Sequence, residues 1–157
     1  MLSARRLRKR CWETVRRLRL PDPFSVPALI ESISSQRGRN LYLHPLDHPA
    51  GGPDMPCGMW VATDVADHIF FEQRTSTFHQ EHIILHELGH MICGHTLGVV
   101  DADPDVVRGA LGRTSYDTRQ EQEAEMVASL LLDRGRQING ELSESDRRLG
   151  KALGFDR

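Results

Sequence analysis

His86 and His90 are separated by Glu87, Leu88 and Gly89, and this pentapeptide holds the residue types that hydrolytic metal chemistry needs. On a helix, two histidines four positions apart leave the same face about one turn from each other. Two neutral imidazole nitrogens at that spacing can bind one Zn²⁺. Glu87, beside the first histidine, can take a proton from a water held near the metal without ligating the metal itself. This is the H-E-x-x-H arrangement of zinc hydrolases, with the glutamate as general base. The alternative is a pair of satisfied histidines in an ordinary core. A bare core would not select two histidines and a glutamate on one apolar segment, because buried polar groups without partners cost free energy.

Two histidines do not complete a catalytic site, which usually takes three protein ligands and a water. The longer H-E-x-x-H-x-x-G-x-x-H pattern needs a glycine and a histidine where this chain has Cys93 and Thr96. Gly94 and His95 are each out of register by one, so that class is rejected and His95 reads as a loop residue near the site. A carboxylate from a later helix is the other solution, and Glu121-Gln122-Glu123-Ala124-Glu125-Met126-Val127-Ala128 offers one. Glu121 and Glu125 share a helical face with Ala124 and Ala128, whose small side chains permit close helix approach. Glu121 is the candidate third ligand. Glu125 is the candidate acceptor for the free ring nitrogen of a ligand histidine, which would fix its tautomer. Glu123 points to another face and is the second choice as ligand. Against this stands a local reading in which Thr118 and Glu121 form a capping box and Glu121 merely closes the helix start.

With these residues in view, the chain resembles the ImmA/IrrE-like zinc peptidases of the thermolysin-like gluzincin class. The family pattern is approximately H-E-x-G-H, then E-x-E-A-[ND]-x-F-A and a leucine pair; His86 to His90 and Glu121 to Leu131 follow it. Glu125 replaces the usual Asp or Asn, and Val127 the usual Phe. The resemblance is firm over residues 78–132 and weaker over the strands. It implies His86, His90 and Glu121 as ligands of a Zn²⁺ cofactor, with Glu87 as the base. It also implies an endopeptidase whose protein substrate is a helix-turn-helix transcriptional repressor. The competing function is a non-proteolytic, zinc-stabilised regulatory or toxin–antitoxin-type binding module, suggested by the small size and a basic N-terminal arm. Peptide hydrolysis would gain from a donor to the developing oxyanion. Tyr116 is the first candidate, with His79 and His95 as others. His82 reads as helix packing or a polar rim, and His44, His48 and His68 have no partner identifiable from sequence.

The elements that must position these groups follow from periodicity and turn chemistry. Thr77 and Gln80 make a capping-box pattern, an apolar run without Pro follows, and Gly94 makes a stop, so the motif lies on a helix over about 78–93. A second helix is predicted from Arg119 to Leu132, ending before Gly135. Leu2, Leu7, Cys11, Val15 and Leu18 recur at helical spacing, so residues 3–19 form an amphipathic helix that Pro21 and Pro23 end. Another helix runs from Val26 to Ser35, with Pro27 in its first turn. Asn40–His44, Gly58–Thr63 and His68–Glu72 read as strands, the last two joined as a hairpin. Trp60, Phe70 and Phe71 are expected to pack the sheet against the motif helix. A short helix near Val106–Leu111 and another over Ser143–Leu153 complete the prediction. The expected fold is α+β and compact, a minimal gluzincin type. N-terminal helices precede a small, mostly antiparallel three-stranded sheet packed on the motif helix. A glutamate-bearing helix and a short C-terminal helix follow.

Composition bounds the class. A chain of 157 residues with 39% hydrophobic and 27% charged residues and a net charge of −2 is expected to be one globular domain. No apolar stretch approaches the ~20 residues of a membrane span, and no signal-peptide core follows the N-terminus. Cys11, Cys57 and Cys93 lack Cys-x-x-Cys spacing, which suits reduced thiols in a cytoplasm. The excess of Arg, 18 against 2 Lys, reads as codon bias of a GC-rich bacterial genome. Residues 1–20 carry a net charge of +7. An acidic partner or nucleic acid could use that arm, but the helical spacing favours a solvated basic face, and direct nucleic-acid binding is not the expectation.

Overall fold

The computed structural model describes residues 3–47, 58–95 and 116–141. Among these residues, four helices and a three-stranded sheet make an α+β fold. Helix α1 (Ala4–Arg16) starts at Ser3, whose hydroxyl accepts from the Arg6 N–H, and buries Cys11 and Val15 while its arginines face solvent. Helix α2 (Val26–Arg37) is capped by Ser25, carries Pro27 in its first turn, and ends at Gly38 in the left-handed conformation (φ 66°). Leu29, Ile30 and Ile33 are its buried face.

Strand β3 (Ala66–Glu72) lies at the centre of the sheet, between β1 (Asn40–Leu46) and β2 (Gly58–Ala62). β2 and β3 form the expected antiparallel hairpin, with Trp60 opposite Ile69. β1 runs parallel to β3, with Asn40 opposite Ala66, so the sheet is mixed rather than mostly antiparallel. Eleven residues separate β1 from β2 in sequence, and the two strands lie on opposite edges of β3. β1 continues through Pro45 to Leu46; as an edge strand it tolerates a residue without N–H. Trp60, Ile69 and Phe71 join the helices in the core. Phe70 does not: strand alternation turns it to the other face, where it stacks on His44.

Asp67, almost wholly buried, ties three elements together. One carboxylate oxygen accepts from Arg39 at 3.2 Å and lies 3.6 Å from the Arg37 guanidinium, and the other accepts from the Trp60 indole N–H at 3.1 Å. The pairing fixes Trp60, and with it the strand that borders the motif helix.

Helix α3 (Thr77–Cys93) carries the motif, and helix α4 (Thr118–Ile138) carries the later glutamates. Their N-caps each lie one residue before the threonine that the sequence suggested. Ser76 caps α3, and Asp117 with Gln120 forms the capping box of α4. Gly94 ends α3 as expected, with φ 73°. Helix α4 does not stop before Gly135 but runs through it, because that glycine leaves room for the Phe24 ring, which a Cβ would strike. Asn139 at the end of α4 then exchanges two hydrogen bonds with the Phe24 backbone, at 2.8 and 2.9 Å. The two shorter helices predicted at 106–111 and 143–153 lie outside the described residues. Among the described residues, no helix is long and apolar enough to cross a membrane.

Candidate metal centre

Close helix contact builds the site. A Cβ on Gly89 would lie 2.6 Å from the Ala124 carbonyl oxygen and 3.0 Å from its Cα, so α3 and α4 touch backbone to backbone at this pair. One turn along α4 from the contact, Glu121 reaches both motif histidines. Its Oε2 lies 3.1 Å from His86 Nε2, and its Oε1 lies 3.1 Å from His90 Nε2. Glu121 is thus not spent on closing the helix, a role Asp117 and Gln120 already fill. Glu125 also stands where it was expected: its Oε2 is 3.0 Å from His86 Nδ1, and its Oε1 is 3.3 Å from His82 Nε2.

His86, His90 and Glu121 form a group that can hold a metal ion, with one donor atom from each within 4.8 Å of the others. Both nitrogens of His86 face carboxylate oxygens, Nδ1 that of Glu125 and Nε2 that of Glu121. His90 Nε2 is buried and 3.1 Å from Glu121, yet has no hydrogen-bond partner among the described residues. Two donors on one zinc, each at about 2.0–2.1 Å in tetrahedral geometry, lie roughly 3.3 Å apart. The 3.1 Å separations suit donors that share an ion. Burial, then the neighbouring His86 and His95, hold His90 far below the usual histidine range, at about 3, so the ring is neutral and its lone pair available.

Glu87 sits beside this group and is 6% exposed. Burial pushes its carboxyl up to about 7; Glu121 adds to the rise, while His86 and the Trp60 backbone N–H oppose it. One of its oxygens, Oε2, has no hydrogen-bond partner among the described residues. Gly58 on β2 keeps the approach open, since a Cβ there would meet Ile83 at 2.5 Å and the Glu87 Cγ at 3.1 Å. Tyr116 stacks its ring on His90, 3.6 Å between centroids, and its hydroxyl is buried without a partner among the described residues. Burial and the carboxylates of Glu87 and Glu121 raise its pKa, so the hydroxyl keeps its proton and can donate. Burying three polar atoms unsatisfied in one place costs free energy that an ordinary core would not bear.

Other candidates fall elsewhere. His79 bonds to the Thr75 hydroxyl at 2.8 Å at the exposed start of α3 and does not join the centre. His95 is not free to donate to an oxyanion: its Nδ1 contacts His90 Nδ1 at 3.0 Å and its Nε2 meets Glu123 at 2.7 Å. Glu123, the second choice as ligand, is turned to that histidine and to Arg119 rather than to His86 and His90. His44 and His68 partner each other at 2.8 Å on the sheet face that carries Phe70, and His48 lies outside the described residues. The interactions missed from sequence are the His95–Glu123 pair and the Trp60 N–H to Glu87. The available signal for the first was Gly94, whose left-handed turn brings the His95 N–H onto the His90 carbonyl at 3.0 Å.

Comparison with protein-family models, with curated proteins and with solved structures finds no match to this chain.

Proposed function

We propose that this protein is a zinc-dependent endopeptidase that hydrolyses a peptide bond in a specific protein partner, a helix-turn-helix repressor by its resemblance to the ImmA/IrrE-like peptidases. The observation that carries the reading is the convergence of His86, His90 and Glu121 beside a buried Glu87 with an unpartnered oxygen. His86 and His90 would hold the ion through Nε2 and Glu121 through its carboxylate. Zinc, when bound, supplies a Lewis acid that acidifies water and polarises a peptide carbonyl.

Glu87 takes a proton from the attacking water as its oxygen bonds to the carbonyl carbon. The carbon–nitrogen bond then breaks, and Glu87 delivers that proton to the leaving nitrogen. Tyr116 donates its hydroxyl proton in a hydrogen bond to the carbonyl oxygen as charge develops there. Glu125 orients His86 through its Nδ1. Strand β2, paired only to β3 among the described residues, borders Glu87 through Trp60 and offers an edge along which an extended peptide can add.

The test is incubation of the zinc-loaded protein with helix-turn-helix repressors from the same genome, with cleavage read as fragment masses. The wild type should cut it at one position, and Glu87→Gln should bind zinc but not cut. Fragments that persist with Glu87→Gln would sink the mechanism. A regulatory effect in cells that survives Glu87→Gln would transfer the function to non-proteolytic binding.

A further inference from the structure

The second ring nitrogen of His90 is engaged as well. His90 Nδ1 lies 3.0 Å from His95 Nδ1, His95 Nε2 lies 2.7 Å from Glu123 Oε2, and Glu123 Oε1 accepts from Arg119 Nε at 3.2 Å. His90, His95 and Glu123 are all buried. Protons can be assigned along this row by elimination. A carboxylate only accepts, so the proton between Glu123 and His95 sits on His95 Nε2. With a single ring proton, His95 then presents a bare Nδ1. His90 Nδ1 must carry a proton and donate it to that lone pair. His90 Nε2 is left bare, and it is this atom that faces Glu121.

We propose that His95 and Glu123 are positioning residues that lock His90 in its Nδ1–H tautomer and so present Nε2 to the metal; this rests on the metal-centre reading above. Arg119 holds the Glu123 carboxylate in place at the outer end. Cys93, His95 and Glu123 could instead hold an ion of their own, since their donor atoms lie within 4.8 Å of one another. Two features argue against it. The 2.7 Å contact between His95 and Glu123 is a hydrogen-bond length, below the roughly 3.3 Å between two donors on one zinc. An ion on His95 Nε2 would also move that ring's proton to Nδ1, force His90 to protonate Nε2, and remove a ligand from the first centre.

The test uses the full-length chain and zinc alone, with affinity measured by chelator competition and histidine tautomers by long-range proton–nitrogen NMR. Zinc-loaded wild type should bind one ion, with His90 protonated at Nδ1 and His95 at Nε2. His95→Leu should bind zinc about 10–100-fold more weakly. His95→Gln should recover most of that loss, because its amide can accept from His90 and donate to Glu123. Should His95→Leu fail to fold, the wild-type tautomers decide. A His95 protonated at Nδ1, an unchanged affinity in His95→Leu, or a second zinc lost with Cys93→Ser would overturn the relay. Each of these outcomes leaves the first centre standing if Glu121→Ala still loses zinc. A wild type that binds no zinc overturns both.

Discussion

Replacing Gly89 by alanine separates the packing at this site from ordinary helix propensity, because the two act in opposite directions. In an exposed helix interior, Gly→Ala stabilises by about 1 kcal/mol. Here the new methyl would lie 2.6 Å from the Ala124 carbonyl oxygen and 3.0 Å from its Cα. Both are backbone atoms, so no side chain can swing away. Restoring an ordinary contact of 3.4 Å means parting α3 from α4 by about 0.8 Å. Overpacking of this kind costs about 1–3 kcal/mol, which exceeds the propensity gain over most of that range. The displacement also matters chemically. His86 and His90 ride on α3 and Glu121 on α4, and a metal site tolerates only about 0.2 Å in its bond lengths. Gly89→Ala should therefore destabilise the metal-free protein by about 1 kcal/mol in urea unfolding. It should weaken zinc binding at least tenfold in chelator competition. A variant stabilised by the propensity amount, with unchanged zinc affinity, would refute the backbone contact and the dependence of the site on it.

In metal-free protein, the folded carboxyl of Glu87 keeps its proton up to about pH 7, whereas the unfolded chain loses it near 4.5. The native state binds more protons across that window, so wild-type stability falls as pH rises through it. Glu87→Gln lacks this pH dependence and should exceed the wild type at pH 8 by up to about 3 kcal/mol, with the gap closing towards pH 4.5; a difference that does not vary with pH would contradict a burial-raised carboxyl. Asp67→Ala leaves Arg39 and the Trp60 indole N–H without their shared acceptor, and should cost about 3 kcal/mol in thermal unfolding. A loss under about 0.5 kcal/mol would show that the network contributes little.

Local chemistry made the centre of this molecule legible before any fold was known. The spacing of His86, Glu87 and His90 needs only a helix to become a face, and the apolar run up to Gly94 supplies that helix. Glu121 was legible as a candidate because small residues beside it permit helix contact, which Gly89 and Ala124 provide. The helix starts were displaced by one residue because Ser76 and Asp117 cap as well as the threonines that follow them, and only geometry decides which comes first. Gly135 carries the same letter whether it ends a helix or admits a ring, and its role depends on Phe24, more than a hundred residues away in sequence. The parallel pairing of β1, the packing of Phe70 on His44 and the engagement of His95 by Glu123 share that cause. Each is set by a partner distant in the chain, which periodicity does not report.

His86, His90 and Glu121 are proposed to hold one zinc ion, and elemental mass spectrometry of the purified protein decides whether they do. Wild type and Glu121→Ala would be purified side by side and reconstituted with zinc. The wild type should hold about one zinc per chain and the variant little or none. No zinc in either protein after reconstitution, or equal zinc in both, would contradict it.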